Sequence, residues 1–177
     1  HKSSRGLGDV YKRQDQALLA ASNAPCHKHT HPWKFYILGK ATRTKLIPTI
    51  SRLAAIKSAK QNSQNLEADC SRAINKITQP PLLIAVTSKK TEDDSFREKE
   101  DYAATVCALH NLVLSLWENG VGSQWSTGSI TRDEETYDIL SIDSKTEEII
   151  GFVKAGYPEK TREVRKKPVV DIVNYLD

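Results

Sequence analysis

Three histidines at alternate positions form the most conspicuous cluster of reactive side chains in the sequence. His27, His29 and His31 stand in the run HKHTH, and alternate side chains of an extended chain project to one face. Imidazole binds zinc and other transition metals, so this spacing could hold a metal ion. Such sites also need a carboxylate that orients the imidazoles, and none stands between Asp15 and Glu67. We therefore assign no metal ligands and favour a polar loop with one functional histidine; a metal-binding protein without enzymatic activity stays open as the alternative.

A second candidate site is the segment GVGSQWSTGSIT, which begins at Gly120 and ends at Thr131. Its glycines let a ligand approach the backbone closely, and its hydroxyl groups can donate hydrogen bonds. The hydroxyl groups belong to Ser123, Ser126, Thr127 and Ser129. A turn that follows a helix explains Gly120, but it does not explain why Trp125 stands among these hydroxyls ahead of a second glycine.

Several phosphate-binding and hydrolytic motifs are absent from the sequence. No G-x-G-x-x-G opens a helix after a strand, and Gly120 and Gly122 stand at the wrong end of their helix for a dinucleotide-binding turn. The sequence also contains neither G-x-x-x-x-G-K-[ST] nor G-x-S-x-G. The Rossmann, P-loop and serine-hydrolase classes therefore lack their basic motifs.

Four segments together resemble successive landmarks of the FMN-dependent nitroreductase family, in that family's order and spacing. They are APCHKHTHPWKFYIL (24–38), QPPLLIAV (79–86), EDYAATVCALHNLVLSLWENGVGSQWSTG (100–128) and EIIGFVKAGYP (148–158). The loop Ala-Pro-x-His-Lys followed by Pro-Trp-x-Phe is most similar to the small, minimal branch of that family. The resemblance implies a homodimer with two FMN sites at the subunit interface. It also implies hydride transfer from NADH or NADPH through the flavin to a nitroaromatic, quinone or similar small-molecule acceptor.

The resemblance also implies which residues bind the cofactors. Asn23 and His27 would face the flavin from one subunit, and Trp125, Ser126 and Thr127 would line its other side. The nicotinamide site would fall on Ser115, Leu116, Trp117, Glu118, Asn119 and Gly120. The hard chemistry of such an enzyme belongs to the flavin, so no catalytic acid or base is assigned.

The sequence departs from the family pattern at positions that would hold the flavin phosphate or the edge of its ring. Close relatives often have arginine at the positions of Asn23 and Ser126. An Arg-Arg-Ser type motif that grips the phosphate in the family is replaced here by the residues before Asp15. We therefore expect weakened FMN binding, by about 1.5 to 3 kcal/mol for each lost charge-assisted contact.

The elements that would position these residues follow from the hydrophobic pattern, which predicts helices and strands in alternation. Helices are predicted over 15–23, 42–60 with a break or kink at Pro48, 66–77 and 100–119, and a short helix opened by a Thr131/Glu134 capping box ends at Leu140. Strands are predicted over 33–38, 82–87, 121–127 and 149–155. Strands separated by helices predict an α+β or α/β three-layer domain. The resemblance implies the α+β class, as a three-layer α/β/α nitroreductase-like sandwich with a central mixed β-sheet. Helix 100–119 is apolar around most of its circumference and is expected to be buried in the core or in a dimer interface.

Length and composition indicate one globular domain. The chain has 177 residues, of which 38% are hydrophobic and 27% are charged. The formal net charge is +4, but most of this surplus lies in residues 1–14, so a nucleic-acid partner is not favoured. The three cysteines show no paired spacing, which favours a reducing, cytoplasmic compartment. No run of apolar residues is long enough for a membrane span or a signal peptide.

The first 14 residues, HKSSRGLGDVYKRQ, have a composition unlike the rest of the chain. Glycine and serine interrupt the run and few positions are large and apolar, so we expect neither a packed helix nor a strand there. We interpret 1–14 as a non-native leader and 15–177 as a nitroreductase-like domain that lacks its N-terminal helix and FMN phosphate motif.

Overall fold

The structure is a computed structural model that describes residues 7–177, with side chains described from residue 11 onward. The elements in chain order are α1 (Leu7–Ser22), β1 (Trp33–Ile37), α2 (Lys40–Lys60), α3 (Leu66–Thr78), β2 (Leu82–Lys89), α4 (Ser95–Glu118), β3 (Gly122–Ser126), α5 (Glu134–Leu140) and β4 (Glu147–Gly156). Short 3₁₀ turns lie at His27–His29, Ser129–Thr131 and Val169–Asp171. All nine predicted helices and strands are therefore present, with shifted ends.

The four described strands form one sheet in the order β1-β2-β4-β3. Every neighbouring pair is antiparallel, so the predicted central mixed sheet is wrong for these strands. The reason is the position of β4. The crossover through α4 makes β3 run in the same direction as β2, but β4 lies between them and pairs with both in the opposite direction.

Helices cover both faces of the sheet, which confirms the α+β, three-layer α/β/α architecture. On one face, α1 and α4 bury Ala17, Ala21, Leu112 and Leu116 against the sheet. On the other face, the cluster includes Leu46 and Ile50 of α2, Ile77 of α3 and Phe152 of the sheet. Strand β2 is buried from Leu82 to Ser88, as its unbroken apolar sequence predicts for a strand covered on both faces.

Helix α4 begins five residues before the predicted start at Glu100. The Asp94 side chain accepts a hydrogen bond from the Arg97 backbone N–H, 2.9 Å away, and so caps the helix. One side of α4 is buried, but its opposite side exposes a stripe of large apolar side chains. This α4 outer stripe consists of Tyr102, Val106, Leu114 and Trp117. Tyr102, Leu114 and Trp117 are 39%, 52% and 54% exposed, and Val106 is partly buried. The expected burial in the core therefore holds for one side of α4, and burial of the other side in a dimer interface stays a prediction.

Helix α1 begins at Leu7, so residues 7–14 are helical, contrary to the expectation that the leader forms no helix. Contacts with α4 explain the difference. Asn111 donates to the Ala20 carbonyl at 3.1 Å, and Arg13 donates to the Asn119 side chain at 3.0 Å. Residues 1–6 of the leader lie outside the described residues, and the non-native origin of 1–14 stays a prediction.

Two local predictions are corrected by side-chain contacts. Thr131 does not cap α5; its hydroxyl donates to the Gly128 carbonyl at 2.8 Å, and Asp133 accepts from the Glu135 N–H at 3.1 Å instead. Helix α2 runs through Pro48 without the predicted break, and the alternative of a kink stays a prediction. The burial of Leu46 and Ile50 on either side of Pro48 offsets the hydrogen bond that the proline cannot donate.

Across residues 7–177, the helices lack the combination of length and apolar character that a bilayer crossing requires.

Candidate functional site

The loop between α1 and β1 is held against α4 by a buried carboxylate. Lys28, His29 and His31 have φ angles of 51°, 52° and 43°, a left-handed conformation that costs about 1 to 3 kcal/mol for such residues and needs support from the surroundings. The Thr30 hydroxyl donates to Asp101 Oδ1 at 2.6 Å, and the Asp101 side chain is 2% exposed. The carboxylate of α4 therefore fixes the middle of the strained loop.

His27 and Asn23, the two loop-side candidates for flavin binding, are both accessible. His27 Nδ1 lies 3.9 Å from Glu100 Oε1, with 55% of the imidazole side chain exposed. Asn23 is exposed just beyond α1, and its amide donates to the Leu19 carbonyl at 3.1 Å. Both side chains therefore lie at the protein surface, where a ligand or a second chain can reach them.

The three loop histidines do not share one face, because the chain is not extended here. His27–His29 is a 3₁₀ turn with left-handed residues. The His31 ring instead packs edge-on against Trp33 at 5.7 Å, and its backbone N–H donates to Cys26 Sγ at 3.4 Å. Over the described part of the chain, no group of three or more His, Cys, Asp or Glu side chains could hold a metal ion. The alternative of a metal site at the three histidines loses its geometric basis.

Trp125, Ser126 and Thr127 lie at the end of β3, on an edge of the sheet. The Trp125 indole N–H donates to the Ile150 carbonyl at 3.1 Å, and 38% of the residue is exposed. Ser126 is half-buried and Thr127 is exposed; the Thr127 carbonyl accepts from Arg132 at 2.8 Å. The outer edge of β3 has no neighbouring strand among the described residues, so its backbone offers donors and acceptors to a ligand.

The two halves of the predicted flavin site lie apart in one chain. The histidine loop leads into β1, which is one edge of the sheet, and Trp125 belongs to β3, which is the other edge. Three strand spacings of about 4.8 Å separate the edges by roughly 14 Å. The strand that follows the His27 loop and the strand that carries Trp125 are therefore opposite edges of the sheet in one protomer.

The predicted nicotinamide segment lies at the C-terminal end of α4 and divides into buried and exposed residues. Leu116 is wholly buried in the core and Ser115 is 9% exposed, so these two side chains position the helix end and offer almost no surface to a ligand. Trp117 is 54% exposed. The remaining members of the segment are Glu118 and Gly120, which are exposed, and Asn119, which is half-buried.

A half-buried carboxylate, which the sequence patterns did not single out, links β1, β2 and β4. Glu147 accepts hydrogen bonds of 2.7 Å from both Tyr36 and Thr87, and Lys34 lies 3.3 Å away. Burial alone would raise the pKa of Glu147, but these hydrogen bonds and the Lys34 charge outweigh it and lower that pKa. Burial, together with the nearby Glu147 carboxylate, raises the pKa of Tyr36 to about 12.

Comparisons with known proteins identify the family. A family model described as the nitroreductase family matches residues 12–157. The chain is 30% identical over 156 residues to YfhC of Bacillus subtilis (strain 168), which is named as an NAD(P)H nitroreductase; the match covers 87% of this chain and 77% of YfhC. The crystal structure of a nitroreductase-like family protein from Bacillus cereus is similar, with a TM-score of 0.75, 24% sequence identity and coverage of 93% of this chain and 84% of that chain.

A crystal structure from Desulfovibrio desulfuricans, described as a nitroreductase in complex with FMN, has the same fold. Its TM-score is 0.69 at 15% identity, and the match covers 94% of this chain and 84% of that chain. The family model alone covers most of the chain, from the middle of α1 to the end of β4. The chain belongs to the nitroreductase family.

Proposed function

We propose that the protein is an FMN-dependent oxidoreductase that transfers hydride from NADH or NADPH to a nitroaromatic, quinone or similar acceptor. Support comes from its membership of the nitroreductase family, from YfhC, which is named as an NAD(P)H nitroreductase, and from the FMN held by a protein of the same fold. Bound FMN supplies the capacity to accept and release hydride. The residues of this chain then need to bind the ring, orient it and exclude water.

The residues at the β3 edge fit a flat, polar-edged ring. Trp125 presents a partly exposed indole, and the Ser126 and Thr127 hydroxyls stand beside it. At Gly128, a Cβ atom would meet nothing within 4 Å, so there is open space beyond these hydroxyls. An aromatic face next to hydrogen-bond donors suits a heteroaromatic ring with carbonyl and nitrogen atoms along one edge.

The main structural support for the proposal is the position of the two parts of the flavin site. The His27 loop leads into β1, and Trp125 lies on β3, which is the opposite edge of the sheet. A single chain offers Asn23 and His27 at one place and Trp125 at another. A second copy related by a two-fold axis would bring the histidine loop of one protomer to the β3 edge of its partner. We infer a homodimer in which each flavin contacts both chains.

The α4 outer stripe provides the apolar surface that such a dimer needs. Tyr102, Val106 and Leu114 follow one another at intervals that keep them on one side of α4, and Trp117 continues the line. Leu19 on α1 is also 65% exposed. Side chains of this size on one surface are typical of a protein interface rather than of a solvated helix face.

Within this site each side chain has a limited task. The Glu100 carboxylate lies 3.9 Å from His27 Nδ1, and the imidazole is more than half exposed, so a ligand can reach its ring nitrogens. The accessible end of the nicotinamide segment, Trp117 to Gly120, lies at the C-terminal end of α4, next to the start of β3.

The cytoplasmic location belongs to the same proposal and is supported by the three free cysteines, Cys26, Cys70 and Cys107.

Steady-state turnover tests the proposal. The purified protein, supplied with FMN, is mixed with NADH or NADPH and with a nitroaromatic compound or a quinone, and the loss of reduced nicotinamide is followed. We expect acceptor-dependent oxidation that rises with added FMN and saturates. Oxidation that does not depend on FMN, or its absence with every donor and acceptor pair, would contradict the proposed activity.

A further inference from the structure

The Trp125 side chain is held on two sides by β4. Its indole N–H donates to the Ile150 carbonyl at 3.1 Å. Trp125 is paired with Val153 across the two strands, so Gly151, two residues along β4, is its diagonal neighbour on the same face of the sheet. The ring therefore lies across the strand and over the glycine.

An irregularity in β4 makes the Ile150 carbonyl available for this bond. Val86 of β2 pairs with Gly151, whereas the next residue, Thr87, pairs with Ile149, so Ile150 is skipped in the register. A residue that is bulged in this way is left out of the regular ladder between the strands. Its carbonyl can then accept a side-chain donor instead.

Gly151 provides the space in which the indole lies. A Cβ atom at this position would overlap the indole nitrogen, would lie 2.5 Å from Trp125 Cδ1 and would lie 2.9 Å from the Ser126 carbonyl oxygen. Any residue with a side chain would therefore displace the ring or push β3 away from β4. The backbone conformation of Gly151 does not require glycine, so the contact with Trp125 and Ser126 is the reason for a glycine here.

We propose that Gly151 and the bulged Ile150 carbonyl form the positioning element that fixes the Trp125 ring as one wall of the flavin site. The inference rests on the proposed function for the role of the ring, but the fixed ring itself can be tested without flavin. A side chain that is both hydrogen-bonded and sterically confined loses no further freedom when a ligand binds, which is the basis of a preorganised site.

The test compares two glycine-to-alanine variants on the same strand. Gly151→Ala places a methyl group against Trp125 and the Ser126 carbonyl. Gly156→Ala is the matched control, because its Cβ would lie 2.9 Å from Pro81 Cδ and does not meet Trp125. Both variants are expected to lower the melting temperature, so stability alone does not distinguish them.

Fluorine NMR of protein labelled with 5-fluorotryptophan reports the ring directly. The three tryptophans, Trp33, Trp117 and Trp125, give separate reporters, and the Trp125→Phe variant assigns the Trp125 signal. We expect Gly151→Ala to move or broaden the Trp125 signal while leaving Trp33 unchanged, and Gly156→Ala to leave the Trp125 signal in place. An unmoved Trp125 signal in Gly151→Ala, or an equal change in Gly156→Ala, would overturn the proposal.

FMN titration of the same variants tests what the fixed ring does. We expect Gly151→Ala to weaken FMN binding by about tenfold or more, because displacement of a site group by about 1 Å can cost up to a hundredfold. Gly156→Ala should stay within about twofold of the original protein. If the original protein binds no FMN, the proposed function fails, but the fluorine measurement still decides whether Gly151 positions Trp125.

A double variant covers the case in which Gly151→Ala does not fold. Gly151→Ala combined with Trp125→Ala removes the overlapping indole and leaves only the contact with the Ser126 carbonyl. Recovery of a cooperative unfolding transition in the double variant supports the proposal, since it identifies the indole as the group that the glycine accommodates. A double variant that is as unfolded as Gly151→Ala alone would refute it.

Discussion

His27 and His29 stand two residues apart on one turn, but their surroundings differ. His27 lies beside Glu100 on α4, whereas the His29 ring lies near the His31 ring, with 6.3 Å between the ring centres. We expect His27→Ala to lose one hydrogen-bond donor to FMN and to weaken binding by about 1 to 3 kcal/mol. His29→Ala is expected to leave the FMN affinity nearly unchanged. Titration of each variant by quenching of flavin fluorescence measures the difference.

The same two variants, together with His31→Ala, also separate the flavin site from a metal site. A metal held by three imidazoles needs each ligand, so any single loss would reduce binding comparably. Equal effects at the three positions, or no effect at His27, would contradict the role proposed for His27.

Glu147 predicts a pH dependence of stability. Because its pKa is lowered in the folded state, its contribution is fully present above the ordinary glutamate value of about 4.3 and is lost as the pH falls through the folded pKa. We expect Glu147→Gln to reduce the free energy of unfolding by about 1 to 3 kcal/mol at neutral pH. This difference should shrink as the pH falls below about 4. Urea unfolding at several pH values measures it.

Glu148→Gln is the control for this experiment, because Glu148 is the next residue on β4 and its side chain is exposed. It should change stability by less than about 0.5 kcal/mol. The difference in unfolding free energy between Glu147→Gln and the original protein could instead stay constant down to acidic pH. That result would show that Tyr36, Thr87 and Lys34 do not stabilise the ionised form of Glu147.

At the level of elements, hydrophobic periodicity predicted each helix and strand, because both faces of the sheet are covered and the pattern of burial is regular. It did not predict the features that depend on one side chain or on the placement of one strand. The start of α4 depends on one cap at Asp94, in a charged stretch that reads as a loop. The direction of the strands depends on where β4 inserts, and a sequence pattern carries no information on that placement.

The Asp94 cap gives a prediction at this scale. Asp94→Ala removes the acceptor for the Arg97 N–H and should destabilise the protein by about 0.5 to 2 kcal/mol. Glu92→Ala, which removes an exposed carboxylate two residues earlier, is the control and should have little effect. Equal unfolding midpoints for the two variants in urea would show that the first turn of α4 does not depend on the cap.

The sequence predicted candidate site residues only where they belong to a motif that resembles the family. The resemblance pointed to His27 and Trp125, and both side chains are accessible. The groups that hold the loop of His27 and the Trp125 ring were not predicted, because Asp101 bonds Thr30 of that loop across 71 positions of the chain and Ile150 bonds Trp125 across 25. A polar Asp101 among the buried positions of α4, beside Ala104 and Thr105, was the one available signal.

At the scale of the whole molecule, substitutions at two leucines of α4 test folding and dimerisation separately. Leu112 is wholly buried in the core, whereas Leu114 on the outer stripe is 52% exposed. We expect Leu112→Glu to unfold or aggregate the protein, because it buries a charge without a partner. Leu114→Glu should leave the fold intact and convert the proposed homodimer to a monomer that binds FMN poorly. Sedimentation and circular dichroism distinguish these outcomes; a Leu114→Glu variant that remains dimeric would exclude this face of α4 as the interface.

FMN binding followed by anaerobic reduction tests the central claim most directly. The purified protein is titrated with FMN until the visible flavin absorbance of the protein fraction saturates, and NADH or NADPH is then added without oxygen. The proposed function predicts saturable binding, with one flavin for each chain, and bleaching of the bound flavin by at least one of the two nucleotides. A protein that binds no FMN at saturating concentration, or whose bound flavin neither nucleotide bleaches, would contradict the assignment of this chain as an FMN-dependent oxidoreductase.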